Sequence, residues 1–593
     1  MFVAMDKAAL KQKILTIEGL TSEEKSALLE LLNKEKKYGL VWENKPEDVE
    51  ERLRDRLPVF KEVKSRAILS DSPDAPNHIL IEGDNLEALT ALSYTHEGKI
   101  DVIYIDPPYN TGNKDFIYND SFVDSEDGYR HSKWLSFMSK RLRIAKRLLS
   151  DKGVIFISID DNEQAQLKLL CDDVFGLSNY ISQFIWKKKQ GGGNDSKQIV
   201  VEHEYIYIYS KNASLVQLGL DTFYKPSDSL YPFSDDKGDY GIITLDKASI
   251  QFSQSLVFEI VGPQGETYYP RIVNGKQSCW RWSQKKVKDQ YRDLVFKKGK
   301  VYTKYYRPNG ITPRSLLIDS CYGRTESGKD DIAAIFGKSP FSYPKPVSLI
   351  KYCMSIGSQN NSTILDFFAG SGTTLHATMQ LNYEDGGHRQ CILVTNNENN
   401  ICEDVTYERN KRVINGYTTP KGEAVEGLKN NSLRYYKTEL LPREKSPRNM
   451  RALMAAATEL LCIKEDLYEE SKRFGIYRTN PKTIRYFEKG DKRMLIIFCE
   501  ELADQIAEEI KTLDFGGQRL KIYIFSPDRY AFDDNFYEVQ NKVQLVALPA
   551  AIYDAYKRVL PKRIDKPLLE VEADETSTVS ASPEQQSIDF NLE

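Results

Sequence analysis

One stretch, DVIYIDPPYNTG at residues 101–112, restricts the fold more than any other. Asp101 to Ile105 read as a short β-strand, which two consecutive prolines then stop. Each proline fixes the backbone and removes an N–H donor, so the preceding carbonyls stay free to accept hydrogen bonds from something else. A stiff turn carrying one carboxylate, Asp106, and one ring, Tyr109, therefore stands at a strand end. Parallel α/β sheets bind ligands beyond such ends. A planar group bearing an exocyclic NH2 suits a carboxylate, a carbonyl and a ring better than a phosphate, a sugar or a metal does.

The texture around this strand is that of a parallel α/β sheet. HILIEGDNLEAL from His78 gives strand, turn and helix, and GVIFISI at 153–159 gives a further strand. A second block, residues 363–395, repeats the pattern with TILDFF, a Gly-rich turn, the helix TTLHATMQLN and the strand CILVT. Here Asp366 stands on the strand, and Ala369-Gly370-Ser371-Gly372 forms a turn of small residues that lets a ligand approach the backbone. The dinucleotide pattern G-x-G-x-x-G is incomplete, because Leu375 occupies the third glycine position. No Lys follows Gly372, so a phosphate loop is excluded too.

With 593 residues, the chain needs several cores. Hydrophobic content of 40% with 28% charged residues is that of a globular protein, and no apolar run reaches the roughly 18–20 residues of a membrane span. The N-terminus shows no signal-peptide core before its first charges, so a cytoplasmic address is expected and no membrane partner. Eight scattered cysteines include no C-x-x-C pair, so neither a metal site nor a disulfide framework is expected.

Six segments are expected. Residues 1–70 form a helical N-terminal arm, 71–210 and 341–430 the two halves of the α/β domain, 211–340 an insertion, 431–565 a small C-terminal α/β domain, and 566–593 a disordered acidic tail. Net charge is only −4, yet Arg281 to Arg307 holds ten Lys or Arg against two Asp, with Trp280, Trp282, Tyr291, Phe296, Tyr302, Tyr305 and Tyr306 interleaved. This mixture suits a nucleic-acid surface, where cations meet phosphates and rings stack. A solvated basic face over core aromatics is the plainer alternative.

DPPYNTG together with DFFAGSGTT resembles the paired signature of the S-adenosylmethionine-dependent DNA amino-methyltransferases. The catalytic tetrapeptide precedes the cofactor loop, an order similar to the β group of that family. GDNLEAL, KKKQGGGNDSKQIVVEHEYIYIYSK and FSYPKPVSLI further resemble the modification subunits of type III restriction-modification systems. The resemblance implies a Rossmann-like methyltransferase sheet interrupted by a target recognition domain. It implies transfer of a methyl group from S-adenosylmethionine to adenine N6 of double-stranded DNA, the base being flipped out of the duplex to reach the site. Asp106, Pro107, Pro108 and Tyr109 would form the catalytic turn. Asp366, Phe368, Gly370, Gly372 and Thr373 would line the cofactor loop, Asp84 and Asn85 would lie near the cofactor's adenine, and Lys345 and Pro346 over its methionine part. The family often ends the strand after the Gly loop on an acid that binds the ribose; here that strand ends on Thr395, so the ribose ligand stays unassigned. A homodimer and a separate ATP-dependent restriction subunit are the implied protein partners.

Asp rather than Ser at position 106 points to adenine by the family's pattern; cytosine N4 and a solitary methylase without nuclease partner are the alternatives. IFGKSPF fails the phosphate-loop pattern because Ile332 stands where its first Gly belongs. In PDRYAFDDNFYEVQNK, Lys542 lies four residues beyond Glu538 instead of two, so no nuclease motif is readable. His131, His203 and His376 receive no role.

Overall fold

Short runs of β-branched and aromatic residues build one ten-stranded sheet. Its strands, in chain order, are β1 Arg56–Glu62, β2 Asn77–Glu82, β3 Ile100–Ile105, β4 Leu149–Ile159, β5 Tyr180–Lys187, β6 His203–Ser210, β7 Leu316–Leu317, β8 Thr363–Asp366, β9 Gln390–Thr395 and β10 Ser432–Pro442. The computed structural model describes residues 40–113, 115–119, 121–191, 198–249 and 251–561. Across the sheet the order is β1-β10-β2-β9-β8-β3-β4-β6-β5-β7. From β10 to β4 every neighbour is parallel, whereas β6 runs antiparallel to both β4 and β5.

Alternation along each central strand feeds two cores. Ile79, Ile81, Ile103 and Ile105 face helices α1 Asn85–Thr95, α2 Arg130–Leu148 and α3 Gln164–Phe175. Leu80, Val102, Tyr104 and Ile364 face α4 Val347–Gly357 and α5 Thr373–Asp385. The chain leaving β3 thus continues into a helix on one face, and the chain leaving β8 into a helix on the other. A crevice opens between the adjacent C-terminal ends of these two strands, where ligands of open α/β sheets bind.

The segment boundaries differ from expectation in three places. Arg56–Glu62, expected within a helical arm, is the edge strand β1, paired antiparallel with β10. Pro58 is tolerated there because an edge strand need not donate on its outer side, and its carbonyl accepts from Tyr556 Oη at 2.6 Å. Strand β10 extends the main sheet beyond residue 430. Within 211–340, a four-stranded sheet of Phe233–Asp235, Gly238–Thr244, Leu294–Lys297 and Lys300–Tyr306 has its own core around Trp280, but β7 returns to the main sheet beside β5. A five-stranded sheet follows between residues 470 and 548. The helix α6 Pro447–Glu465 joins it to the first core, with Leu453, Leu460, Met494 and Tyr523 in one cluster. Residues 1–39 of the expected arm, and the expected acidic tail, lie outside the described residues.

Candidate active site

The turn after β3 is pinned from behind. Trp134 on α2, fully buried, donates from Nε1 to the Pro108 carbonyl at 2.7 Å. Asn110 adopts a left-handed backbone (φ 57°), a conformation Asn tolerates better than most residues. Its buried amide donates to the Arg130 carbonyl at 3.2 Å and to Glu163 Oε1 at 2.5 Å, and Glu163 also receives His131 Nδ1 at 2.7 Å. The prolines stiffen the turn from within, while α2 and α3 hold it from outside. Asp106 is thereby presented to the crevice, with the Tyr109 hydroxyl against it at 2.9 Å.

In front of the turn lies a cluster of charges. Lys345 Nζ stands 2.9 Å from both Asp106 oxygens and donates to the Tyr109 hydroxyl at 2.9 Å. That hydroxyl is 2.9 Å from Asp106 Oδ1 and 3.1 Å from Glu204 Oε2, able to donate to one carboxylate at a time. Glu204, on β6, is paired with Lys188 at 3.2 Å and lies 3.4 Å from Lys345. Burial would raise the Glu204 carboxyl, but Lys345 and Lys188 outweigh it and hold the group below the usual range. Burial works against the Lys345 charge, yet Asp106 and Glu204 keep it protonated, above the ordinary lysine range. The Tyr109 hydroxyl is pushed well up by burial and by both carboxylates. Glu204 was not singled out from the sequence. The signal available was an acid inside an otherwise apolar and aromatic strand, HEYIYIYS. Lys345, assigned from the resemblance to the cofactor, lines the small cavity with Asp366 and Gly370 and sets its ammonium on Asp106.

At the end of β8, Asp366 accepts from the Phe368 N–H at 2.9 Å and from Thr374 Oγ1 at 2.6 Å. Burial pushes its carboxyl up to about 7 against these two hydrogen bonds, and Asp106 adds to the rise. The following turn requires glycine twice, with φ of 48° at Gly370 and 74° at Gly372. A Cβ at Gly372 would meet Asn410 Nδ2 at 2.5 Å and Thr406 Cγ2 at 3.1 Å, so this glycine permits close packing of protein on protein. Only Gly370 faces the crevice. Arg409, wholly buried, supports the turn by donating to the Ser371 carbonyl at 3.2 Å, Ser371 Oγ at 3.1 Å and Thr373 Oγ1 at 2.8 Å. It too was missed from the sequence, having no motif of its own.

Two cavities adjoin the strand ends. A small one of about 80 Å³ is lined by Asp106, Lys345, Asp366, Phe368, Gly370 and Thr373. A larger one of about 420 Å³ is lined by Asp84, Asn85, Pro108 and Phe368, with Thr395 and Asn396 at the end of β9. Phe368 belongs to both. Rings stand in a row along the larger cavity, Phe116 at 5.2 Å from Phe137 and Phe137 at 5.8 Å from Phe368. Asp84 also caps α1, accepting from Leu86 N at 2.7 Å and Glu87 N at 3.3 Å. Asn85 donates to the Phe367 carbonyl at 3.2 Å and accepts from Arg141 Nε at 2.5 Å. Pro107 and Pro346 are buried and, like Tyr109 and Gly372, line neither cavity.

In the insertion, Trp280 is core, its indole donating to the Phe258 carbonyl at 2.8 Å. Tyr291 and Tyr305 are exposed, as are seven of the ten cations between Arg281 and Arg307. The run is therefore a basic outer face over an aromatic core, the arrangement of the plainer alternative, with two rings left at the surface.

A family profile described as DNA methylase matches residues 100–415. The chain is 33% identical over 378 residues to the type III restriction-modification enzyme EcoPI Mod subunit of Escherichia phage P1, covering 54% of this chain and 58% of that one. It is 34% identical over 360 residues to the StyLTI Mod subunit of Salmonella typhimurium, covering 54% and 52%. To the type II methyltransferase M.KpnI of Klebsiella pneumoniae it is 35% identical over 368 residues, covering 58% and 87%. The chain thus spans little more than half the length of the two Mod subunits. Among solved structures, the Thermus thermophilus protein TTHA0409, complexed with S-adenosyl-L-methionine, aligns at 16% identity with a TM-score of 0.28, over 56% of this chain and 94% of that one.

Proposed function

The chain belongs to the DNA methylase family, whose profile covers more than half of it, and on that premise we propose that it is a site-specific DNA adenine-N6 methyltransferase using S-adenosylmethionine. The observation that carries the reading is the meeting of Asp106 and Asp366 at adjoining ends of β3 and β8, with one small cavity between them.

The residues around the crevice fit the cofactor by their chemistry. A buried carboxylate, Asp366, suits a cationic amino acid with a sulfonium; three phenylalanine rings suit a purine; Asp84 and Asn396 suit a diol. The combined volume is that of a small-molecule site. When bound, the cofactor supplies an electrophilic methyl group. Everything else falls to the chain's own side chains. Adenine N6 is a poor nucleophile because its lone pair is delocalised into the ring. Asp106 and the Pro107 carbonyl accept from the NH2 and favour the tetrahedral nitrogen that attacks, while the stiff turn holds that nitrogen in line. Tyr109 offers its ring to the flipped base.

The exposed cations of the insertion support contact with DNA phosphates, other side chains reading base edges. Similarity to Mod subunits supports a place in a type III system with a separate ATP-dependent restriction subunit, and a homodimer is the assembly we propose. No helix among the described residues is long and apolar enough to cross a membrane.

The test is incubation of the full chain with labelled S-adenosylmethionine and unmethylated genomic DNA, digestion to nucleosides and mass analysis of the labelled base. N6-methyladenine is the expected product, and N4-methylcytosine would overturn the adenine assignment. Asp106→Ala should abolish transfer while DNA binding persists; undiminished transfer would refute the assigned chemistry.

A further inference from the structure

One contact in this centre opposes the reaction as it stands. Lys345 Nζ is bound to both Asp106 oxygens and to the Tyr109 hydroxyl, each at 2.9 Å, and its side chain is only 11% exposed. The Asp106 oxygens are acceptors that the proposed target amine needs. An ammonium is itself a tetrahedral nitrogen carrying N–H donors, so Lys345 fills the place of the amine, and the two cannot share the same lone pairs. Pulling a buried ammonium off its carboxylate is strongly unfavourable unless another acceptor takes it over.

That acceptor is present. Glu204 Oε2 lies 3.4 Å from Lys345 Nζ, while Lys188 holds the other oxygen, Oε1, at 3.2 Å. A small swing of the Lys345 head therefore exchanges one carboxylate for the other without leaving either charge bare. Glu204 does not line the small cavity, whereas Lys345 does. The swing thus also withdraws a positive charge from the side where a sulfonium would stand, which reduces repulsion in a partly desolvated site. Resting on the reading of the Asp106 centre as an amine site, we propose that Glu204 is a positioning residue, drawing the Lys345 ammonium off Asp106 as the target amine enters.

A double-mutant cycle tests this, with single-turnover methylation of unmethylated genomic DNA by the full chain as the readout. Glu204→Gln should slow transfer about tenfold, the size expected for losing one charge-assisted hydrogen bond. In a Lys345→Met background the same substitution should change the rate less than about twofold, because the ammonium it acts upon is gone. Glu204→Asp, which keeps the charge, should recover most of the lost rate. Equal slowing by Glu204→Gln in both backgrounds, a Glu204→Asp variant as slow as Glu204→Gln, or complete loss of transfer in Lys345→Met with S-adenosylmethionine binding retained would each overturn the inference. If wild-type protein labels no base, the functional reading falls, and this inference with it; if wild type is active and the cycle shows no coupling, only the inference falls.

Discussion

Asp366 should set the pH at which the methyl donor binds. Its carboxyl is 3% exposed and is pushed up to about 7 by burial, partly offset by Thr374 and the Phe368 N–H and reinforced by Asp106. A cation entering the small cavity favours the ionised form, so binding must expel the proton wherever the group still carries it. At pH 6 roughly nine chains in ten carry that proton, and the S-adenosylmethionine Kd should be about tenfold weaker than at pH 8, or about 1.4 kcal/mol. Titration calorimetry at pH 6 in two buffers of different ionisation enthalpy should report release of close to one proton. Asp366→Asn should bind more weakly at pH 8, with a flat profile and no proton release. The same shift has a signed effect on stability without cofactor. Because the folded carboxyl holds its proton more tightly than the unfolded one, stability is undiminished below about pH 4 and falls as pH rises toward 7, by about 4 kcal/mol in all. Asp366→Asn should therefore be more stable than wild type at pH 8 but not at pH 4. A wild-type Kd constant between pH 6 and 8, or an Asp366→Asn variant that keeps the slope, would refute the reasoning.

Three other perturbations follow from the geometry. Trp134→Phe removes the donor that holds the Pro108 carbonyl and should lower the single-turnover rate about tenfold, leaving S-adenosylmethionine affinity unchanged. Gly372→Ala forces a Cβ toward Asn410 at a left-handed backbone, which should destabilise the Gly turn by about 1–2 kcal/mol or more, read as a lower melting temperature and weaker S-adenosylmethionine binding. Arg141→Met strips the buried Glu47 of two charge-assisted hydrogen bonds, at 2.9 and 3.1 Å, and leaves Lys140 Nζ, at 3.1 Å, as its remaining cation. The Asp48–Asp55 helix should then loosen by about 1.5–3 kcal/mol, visible as faster amide hydrogen exchange there and in α1.

Both strand-end motifs were legible because each compresses its message into a dozen residues: apolar run, acid, turn-forming residues. DVIYIDPPY and TILDFFAGSG became β3 and β8 with their turns, and CILVT became β9. What escaped was whatever depends on pairing across the chain. RLPVFKE has charged ends and a proline, and its four buried residues make sense only beside β10, nearly four hundred residues away. Glu204 is an ordinary charge until the antiparallel β6 brings it beside Lys345 and Asp106, and the contact between Lys345 and Asp106 spans 239 residues of sequence. Gly372 was legible as glycine but not by its reason, since the atoms that forbid a side chain there belong to Asn410 and Thr406. Aromatics of the insertion divide into core and surface only once its small sheet exists.

The adjacency of β3 and β8 has a consequence for synthesis. A ribosome that has delivered the chain through β6 has made the Asp106–Tyr109 turn but neither the strand nor the Gly turn that completes the crevice. The sheet up to that point lacks both strands that stand between β2 and β3, because β9 and β8 are added after the whole insertion. Closing that gap joins segments hundreds of residues apart, a step that pays loop entropy before it gains contacts. A nascent or truncated chain that stops short of β8 should therefore lack the small cavity, which comes into being only after the insertion between its two halves has been made.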